Sequence, residues 1–140
     1  MREDVVVKVI RKADRGEVAR LYIEAGWMKP EEATDLSLID RIVSGSFCFV
    51  GAFHGSRMIG MGRSISDGIC DAYIQDVTVL KEFRGRGVGR SIVSEILKYL
   101  RTHRLYWIGL LAEPGTRSLY EKLGFVELAH YTPMLWREDD

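Results

Sequence analysis

Residues 77–90 read VTVLKEFRGRGVGR, and this stretch decides the fold. The β-branched residues at its start predict a strand, and apolar residues at helical spacing over 88–100 predict a helix after it. The glycines at 85, 87 and 89 lie between the two elements, where the missing Cβ atoms let the backbone approach a ligand closely.

The turn before this helix has the chemistry of an anion site. The first amides of a helix have no intrahelical partners, and the helix dipole adds positive charge at the same end. Arg84, Arg86 and Arg90 surround the turn with further positive charge. The combination predicts a pyrophosphate cradle, although a tight connection flanked by solvated arginines would show the same pattern.

Composition narrows the class of protein. The chain has 140 residues with 20 basic and 20 acidic side chains, so its formal net charge is zero. This balance argues against nucleic-acid and membrane-surface binders, which depend on a large positive field. The length suffices for a hydrophobic core that needs no disulfide or metal cross-link. No repeat or linker divides residues 1–140, so we expect a single domain.

The cysteines and the N-terminus bear on location and metal content. Cys48 and Cys70 have neither a CxxC spacing nor a nearby histidine cluster, so we expect free thiols and no metal site. The N-terminus is charged, and no apolar run approaches the ~20 residues of a membrane span. The predicted location is the cytoplasm.

The pattern of elements predicts the α/β class, with a mixed sheet flanked by helices in the order β-α-α-β-β-β-α-β-α-β-β. Asp14 is expected to cap the first helix and Gly26 to end it. Predicted strands cover 5–11, 47–53, 58–65, 73–80, 105–111, 125–128 and 133–136, and the later helices cover 30–43, 87–102 and 114–123. The apolar strand 105–111 is expected to be central and covered on both faces.

Two motifs resemble those of the GNAT superfamily of acetyl-CoA-dependent N-acetyltransferases. Arg84-x-x-Gly87-x-Gly89 matches its coenzyme A motif, Arg/Gln-x-x-Gly-x-Gly/Ala, in the expected strand–turn–helix context. Residues 118–125, SLYEKLGF, resemble its second signature. The resemblance extends over nearly the whole chain, because the order of elements also matches the GNAT fold.

The resemblance implies acetyl-CoA as the cosubstrate and a set of residues that bind it. The turn amides would hold the pyrophosphate, and the preceding strand would pair with the pantetheine arm. The implied cofactor-binding residues are Val77, Thr78, Val79, Arg84, Gly85, Arg86, Gly87, Val88, Gly89 and Arg90. The resemblance further implies that the strands over 73–80 and 105–111 separate at a bulge, with the thioester in the gap.

Tyr120 is the candidate general acid. The thiolate that leaves coenzyme A must be protonated or hydrogen-bonded, and a phenol with a pKa near 10 suits that task. The resemblance implies this role for Tyr120, with aromatic packing as the alternative. Seven residues earlier, where many family members carry Asn, this chain has Glu113 followed by Pro114 and Gly115, so contacts from an Asn are not expected.

The general base is not evident from the sequence. Many family members carry a Glu nine residues before the coenzyme A motif, but this chain has Gln75 there, which cannot accept a proton. We expect deprotonation through a water held by Tyr73, Gln75 and backbone carbonyls. Asp76 should point to the opposite face of a regular strand, so it is the alternative base only if a bulge re-aims it.

These observations predict an N-acetyltransferase that moves an acetyl group from acetyl-CoA to a primary amine, with a small-molecule acceptor favoured. Alternatives are protein or peptide N-terminal acetylation and a non-catalytic acyl-CoA-binding module. Asp67, Asp71 and Asp76 could draw a cationic acceptor, but turn chemistry and solvated edges explain them more simply.

Three apolar residues are candidates for contacts beyond the cofactor. Trp27 and Leu36 lie in the region that closes over the acceptor in GNAT proteins, and helix packing is the alternative role for both. Trp136 and the terminal strand are a candidate homodimer interface, as the resemblance implies.

Overall fold

The computed structural model describes residues 4–139 as a mixed sheet with helices packed against it. The strands lie side by side in chain order: β1 (Val5–Ile10), β2 (Cys48–His54), β3 (Arg57–Ile65), β4 (Asp71–Val79) and β5 (Trp107–Leu110). The helices are α1 (Arg15–Glu24), α2 (Leu36–Gly45), α3 (Val88–Thr102) and α4 (Arg117–Glu121). Neighbouring strands are antiparallel except for the parallel pair β4–β5. The predicted α/β class with a mixed sheet is confirmed.

The helix starts follow from their caps. Asp14 accepts a hydrogen bond from the Glu17 amide at 3.0 Å and begins α1, as predicted. The single helix predicted over 30–43 is wrong, because it is divided into a 3₁₀ helix, Pro30–Thr34, and α2. Asp35 separates them: its backbone is not helical, and its side chain caps α2 by accepting from the Leu38 amide at 3.3 Å.

Helix α3 fixes the centre of the core. It packs across β1 to β4, and Ile92, Ile96 and Leu100 on its inner face are completely buried. Gly62 on β3 allows this close approach, since a Cβ there would lie only 2.7 Å from Cγ2 of Ile92. Alternate residues of β3 point to the other face, where α1 packs. The start of α3 is thus held firmly against β3 and β4.

The C-terminal part of the chain departs from prediction. Strand β5 has only four residues and lies at the sheet edge with Trp107 61% exposed, so the expectation of a central, covered strand is wrong. The predicted strands 125–128 and 133–136 are also wrong, since residues 125–139 form neither strand nor helix. Their composition favours strands, but a strand also needs a neighbour to bond with, and Pro133 lacks an amide donor.

Two further features concern the chain as a whole. Both cysteines are free, Cys48 being buried and Cys70 exposed. Within residues 4–139, no helix is long and apolar enough to span a bilayer.

Candidate functional site

A bulge in β4 defines the site. Met61 faces Thr78 and Arg63 faces Gln75, so β4 carries one more residue than β3 between these pairs. Asp76 lies in the bulge with φ of 57°, in the left-handed region that non-glycine residues seldom adopt. Such a conformation costs on the order of 1–2 kcal/mol and persists only where neighbours enforce it.

Two side chains hold Asp76 in this conformation. Its Oδ2 accepts a hydrogen bond from the Tyr22 hydroxyl at 2.6 Å and another from Arg63 Nε at 2.7 Å. The ion pair with Arg63 is largely buried, its side chains being 17% and 19% exposed. Burial, and after it the hydrogen bond to Asp76, raise the pKa of Tyr22, so its hydroxyl remains a donor. The network joins α1, β3 and β4.

The bulge coincides with a gap between β4 and β5. Their pairing runs from Asp71–Trp107 to Ile74–Leu110 and ends there, while β4 continues to Val79. On the side away from β3, the edge of β4 over residues 75–79 therefore has no strand beside it among the described residues. This is the separation that the family resemblance implied.

A cavity of about 220 Å³ occupies this gap. Its walls come from β4, from the residues after β5, from α4 and from Trp27, which lies in the loop after α1. The lining residues are Trp27, Tyr73, Ile74, Gln75, Asp76, Val77, Leu111, Glu113 and Tyr120. The cavity thus brings together Tyr120, Gln75, Tyr73 and Trp27, which were singled out separately in the sequence.

Asp76 faces the same cavity as Tyr73 and Gln75. The expectation that it would point to the opposite face, drawn for a regular strand, is wrong, and the bulge is the reason. Its Oδ2 already accepts hydrogen bonds from the Tyr22 hydroxyl and from Arg63 Nε.

Glu113 is the residue whose role sequence reasoning missed. Its Oε1 accepts a hydrogen bond from Trp27 Nε1 at 3.2 Å, which joins two cavity walls that are 86 residues apart in the chain. Burial, and next the charge of Glu113, raise the pKa of Tyr120 above its usual value. The sequence signal for Glu113 was its place seven residues before Tyr120, where Asn is common in the family.

The glycine turn has the backbone geometry of an anion cradle. Gly85 and Gly87 have φ of 76° and 81°, and a Cβ on either would point into open space. Gly87 is the residue before α3, and the first intrahelical bond runs from the Ser91 amide to its carbonyl. The amides of Val88, Gly89 and Arg90 therefore lack intrahelical partners and are available to a ligand.

The arginines around the turn have different roles. Arg84 Nε donates to the Val79 carbonyl at 2.8 Å and ties the turn to the end of β4. The Arg86 guanidinium lies 5.4 Å from the centre of the buried Phe83 ring. Their charge stays close to the α3 N-terminus, which strengthens the positive potential there.

Other sequence candidates lie away from the cavity. Leu36 is the first residue of α2 and is not among the lining residues. Asp67 accepts from the Ile69 amide at 3.0 Å in the β3–β4 turn, which fits the turn-chemistry explanation. A larger groove of about 490 Å³ lies on α3 and includes Lys98, Arg101 and Tyr106. It holds neither the bulge nor Tyr120, so we assign the site to the smaller cavity.

Comparisons with known proteins agree with this geometry. Residues 15–125 match the acetyltransferase (GNAT) family, and the chain therefore belongs to that family. It is 29% identical over 126 residues to the uncharacterized N-acetyltransferase ycf52 of Porphyra purpurea, covering 89% of this chain and 72% of that protein.

Two solved structures share the fold. The GNAT family acetyltransferase of Streptococcus pneumoniae TIGR4 superposes with a TM-score of 0.78 at 22% identity, over 98% of this chain and 100% of that one. A Clostridium acetobutylicum structure described as "predicted acetyltransferase with acetyl-CoA" superposes with a TM-score of 0.68 at 15% identity, over 94% and 96% of the two chains. The protein is thus an acetyltransferase by family, and members of this family use acetyl-CoA.

The electrostatic coupling between Glu113 and Tyr120 is directly testable. Glu113→Gln removes the negative charge that opposes tyrosinate formation, so the pKa of Tyr120 should fall toward its usual value. Glu121→Gln is the matched control, because Glu121 adjoins Tyr120 in sequence but its carboxylate lies 3.6 Å from Arg117. NMR titration of ¹³C-labelled tyrosine measures the pKa of Tyr120 in each variant. An unchanged Tyr120 titration in Glu113→Gln would show that the two groups are not coupled.

Proposed function

We propose that this protein transfers the acetyl group of acetyl-CoA to the primary amine of a small cationic acceptor by direct attack in a ternary complex. The observation that carries the proposal is the gap between β4 and β5, with a cationic helix start at one end and a cavity holding Tyr120 and Glu113 at the other. Amine-dependent release of free thiol from acetyl-CoA, measured across polyamines, amino sugars and peptides, tests it. Binding of acetyl-CoA without such release would instead indicate that the protein is a non-catalytic acyl-CoA-binding module.

The backbone of the turn suits coenzyme A. The amides of Val88, Gly89 and Arg90 supply donors to a pyrophosphate, and the absence of Cβ atoms at 85 and 87 leaves the approach open. The unpaired edge of β4 supplies amides and carbonyls to the pantetheine arm, which is itself a chain of amides. When bound, acetyl-CoA supplies the acetyl group as a thioester.

Replacing Gly87 by Val tests the cradle. The branched side chain would project into the space assigned to the pyrophosphate, and acetyl-CoA affinity should fall at least about tenfold. Gly55→Val is the matched control, because Gly55 also has a positive φ and open space but lies in the β2–β3 hairpin. Both variants should lose similar stability through backbone strain. Calorimetry that finds wild-type affinity in folded Gly87→Val protein would contradict the cradle.

The far side of the cavity suits a cation. Glu113 places a carboxylate beside the Trp27 indole, and a carboxylate with an aromatic face is a common setting for ammonium groups. Of the three aspartates considered as attractants for a cationic acceptor, Asp67, Asp71 and Asp76, only Asp76 lines this cavity. We therefore favour an acceptor that carries positive charge beyond the amine that reacts.

The acceptor amine must lose a proton before it attacks. Because the Asp76 carboxylate is held by Tyr22 and Arg63, we propose that a water held by Tyr73, Gln75 and backbone carbonyls takes this proton. Tyr73 and Leu111 both line the cavity beside the point where the pairing of β4 with β5 ends. Gln75 amide oxygen lies 3.4 Å from Arg63, so its orientation is restrained.

Asp76→Asn distinguishes the water from a direct carboxylate base. The amide keeps an oxygen for Tyr22, so turnover should stay within about tenfold of wild type, short of the roughly 10²- to 10⁴-fold loss of a general base. Gln75→Glu should shift the acidic limb of the pH–rate profile by adding a carboxylate at the cavity. A loss of about a thousandfold in stably folded Asp76→Asn protein would identify Asp76 as the base.

Tyr120 is positioned to assist departure of the thiolate. As the amine nitrogen bonds to the acetyl carbon and the carbon–sulfur bond breaks, negative charge develops on sulfur. Burial and the nearby Glu113 keep Tyr120 protonated through the neutral range, so its hydroxyl is always available to donate. The Tyr120 ring is fixed by edge contact with Phe125, their centres being 5.7 Å apart.

Tyr120→Phe separates this role from packing. The ring and its contact with Phe125 persist, so the fold and acetyl-CoA affinity should change little while kcat falls by about a hundredfold. Tyr106→Phe is the control, since Tyr106 is 72% exposed and lies outside the cavity. Normal kcat for Tyr120→Phe, under conditions where chemistry limits turnover, would leave Tyr120 with a packing role only.

A further inference from the structure

The position of Trp27 is fixed by the way α1 ends. The Gly26 amide donates to the Ile23 carbonyl and the Trp27 amide to the Tyr22 carbonyl, both at 3.0 Å. Gly26 has φ of 81°, and the two bonds around this left-handed glycine form a Schellman motif. An apolar contact between the same two outer residues commonly accompanies the motif, and the rings of Trp27 and Tyr22 meet edge-on with centres 6.2 Å apart. The sequence at the end of α1 therefore determines where the indole lies.

The indole is held on two sides. Tyr22, against which it packs, is only 5% exposed, and the Tyr22 hydroxyl donates to Asp76 in the bulge at 2.6 Å. On the other side, Trp27 Nε1 donates to Glu113 Oε1 at 3.2 Å. A continuous series of contacts thus runs from the bulge through Tyr22 and Trp27 to Glu113. The indole cannot turn aside without losing both its contact with Tyr22 and its bond to Glu113, so it forms a fixed wall of the cavity.

The cavity beside this wall is small. Its volume of about 220 Å³ lies below the roughly 300–1,000 Å³ of most small-molecule pockets. Under the proposed function, the cavity must hold the thioester end of acetyl-CoA as well as the amine that attacks it. Little volume then remains for atoms close to the reacting nitrogen. The part of the acceptor that enters should therefore be a thin, unbranched chain.

Glu113 and Trp27 also reach solvent, so they form the rim of the cavity. Trp27 is 38% exposed, and Glu113 is exposed as well. Within residues 4–139 no basic side chain forms an ion pair with Glu113, whose hydrogen-bond donor is the neutral indole. A cation at the rim would therefore meet a carboxylate without a competing positive charge, next to an aromatic face.

We propose that Trp27 is a specificity-determining residue, which admits the unbranched end of a diamine and excludes amines that are attached to a ring. This inference rests on the proposed function and narrows its acceptor class. The reacting amine enters the cavity along the fixed indole. The second ammonium group stays at the rim, where Glu113 and the face of the indole bind it. The width of the cavity thus selects the shape of the acceptor, and the rim selects its second charge.

Binding of amines to the wild-type protein tests the proposal without any turnover. The chain has three tryptophans, Trp27, Trp107 and Trp136, and each gives one indole N–H signal in a ¹⁵N NMR spectrum. In protein saturated with coenzyme A, 1,5-diaminopentane should shift the Trp27 signal and leave the other two in place. Cyclohexylamine has its amine on a ring, and Nα-acetyllysine methylamide has the same chain without a second charge, so both should bind at least about tenfold more weakly. An unshifted Trp27 signal, or equal binding of either of these amines, would overturn the proposal.

Variants then assign the selection to Trp27. Trp27→Ala removes the wall, so the ratio of kcat/KM for 1,5-diaminopentane to that for cyclohexylamine should fall by about tenfold. Trp27→Phe keeps a ring in place and should retain most of the ratio. Trp107→Ala is the matched control, because Trp107 is 61% exposed and lies outside the cavity, and its ratio should not change.

The same assay separates this proposal from the proposed function. An unchanged ratio in folded Trp27→Ala protein would overturn the role of Trp27 while acetyl transfer to amines remains. Faster turnover of Nα-acetyllysine methylamide than of the diamine would also overturn it, and would assign the cavity to lysine side chains of proteins. Absence of thiol release with every amine would contradict the proposed function, and the NMR binding experiment would still decide whether a diamine lies against Trp27.

Discussion

The carboxylate of Asp76, bonded to the Tyr22 hydroxyl and to Arg63 Nε, is the contact on which the site depends. It stabilises a left-handed residue within a strand, and the extra residue turns the end of β4 away from β5. With a regular β4, pairing with β5 would be free to continue beyond Ile74, and the gap would close. The cavity and the unpaired edge of β4 both follow from this strained residue. Tyr22 on α1 and Arg63 on β3 hold it in place.

The two ends of the gap have opposite electrostatic character within a chain of zero formal net charge. The start of α3 combines unpaired amides, a helix dipole and arginines, so it favours an anion. The cavity has Glu113 beside an indole and favours a cation. Because the charges balance overall, the proposed function requires that local fields select between the two substrates. This separation would orient the acetyl donor and the acceptor toward each other across the strand break.

The sequence predicted what local patterns encode and missed what depends on distant partners. The strands β1 to β4, helix α3 and the glycine turn follow from periodicity and from glycine chemistry, and the structure has them. The family resemblance implied a bulge in this region, but residue patterns could not place it at Asp76, because the partners that hold Asp76 lie 54 and 13 residues away. The role of Glu113 depends on Trp27 in the same way. The strands predicted over 125–128 and 133–136 do not form, because a strand needs a neighbouring edge to bond with, and propensity alone does not show whether such an edge is available.

Arg84 spans the junction between β4 and the turn, with its Nε bonded to the Val79 carbonyl. That bond calls for a planar N–H donor on a long side chain, and it does not require a full positive charge. Glutamine has such a group, whereas lysine has a compact ammonium with no planar preference. A Gln at this position, which the coenzyme A motif also allows, could therefore keep a donor for the brace between strand and turn. It would lose the positive charge that Arg84 adds near the start of α3.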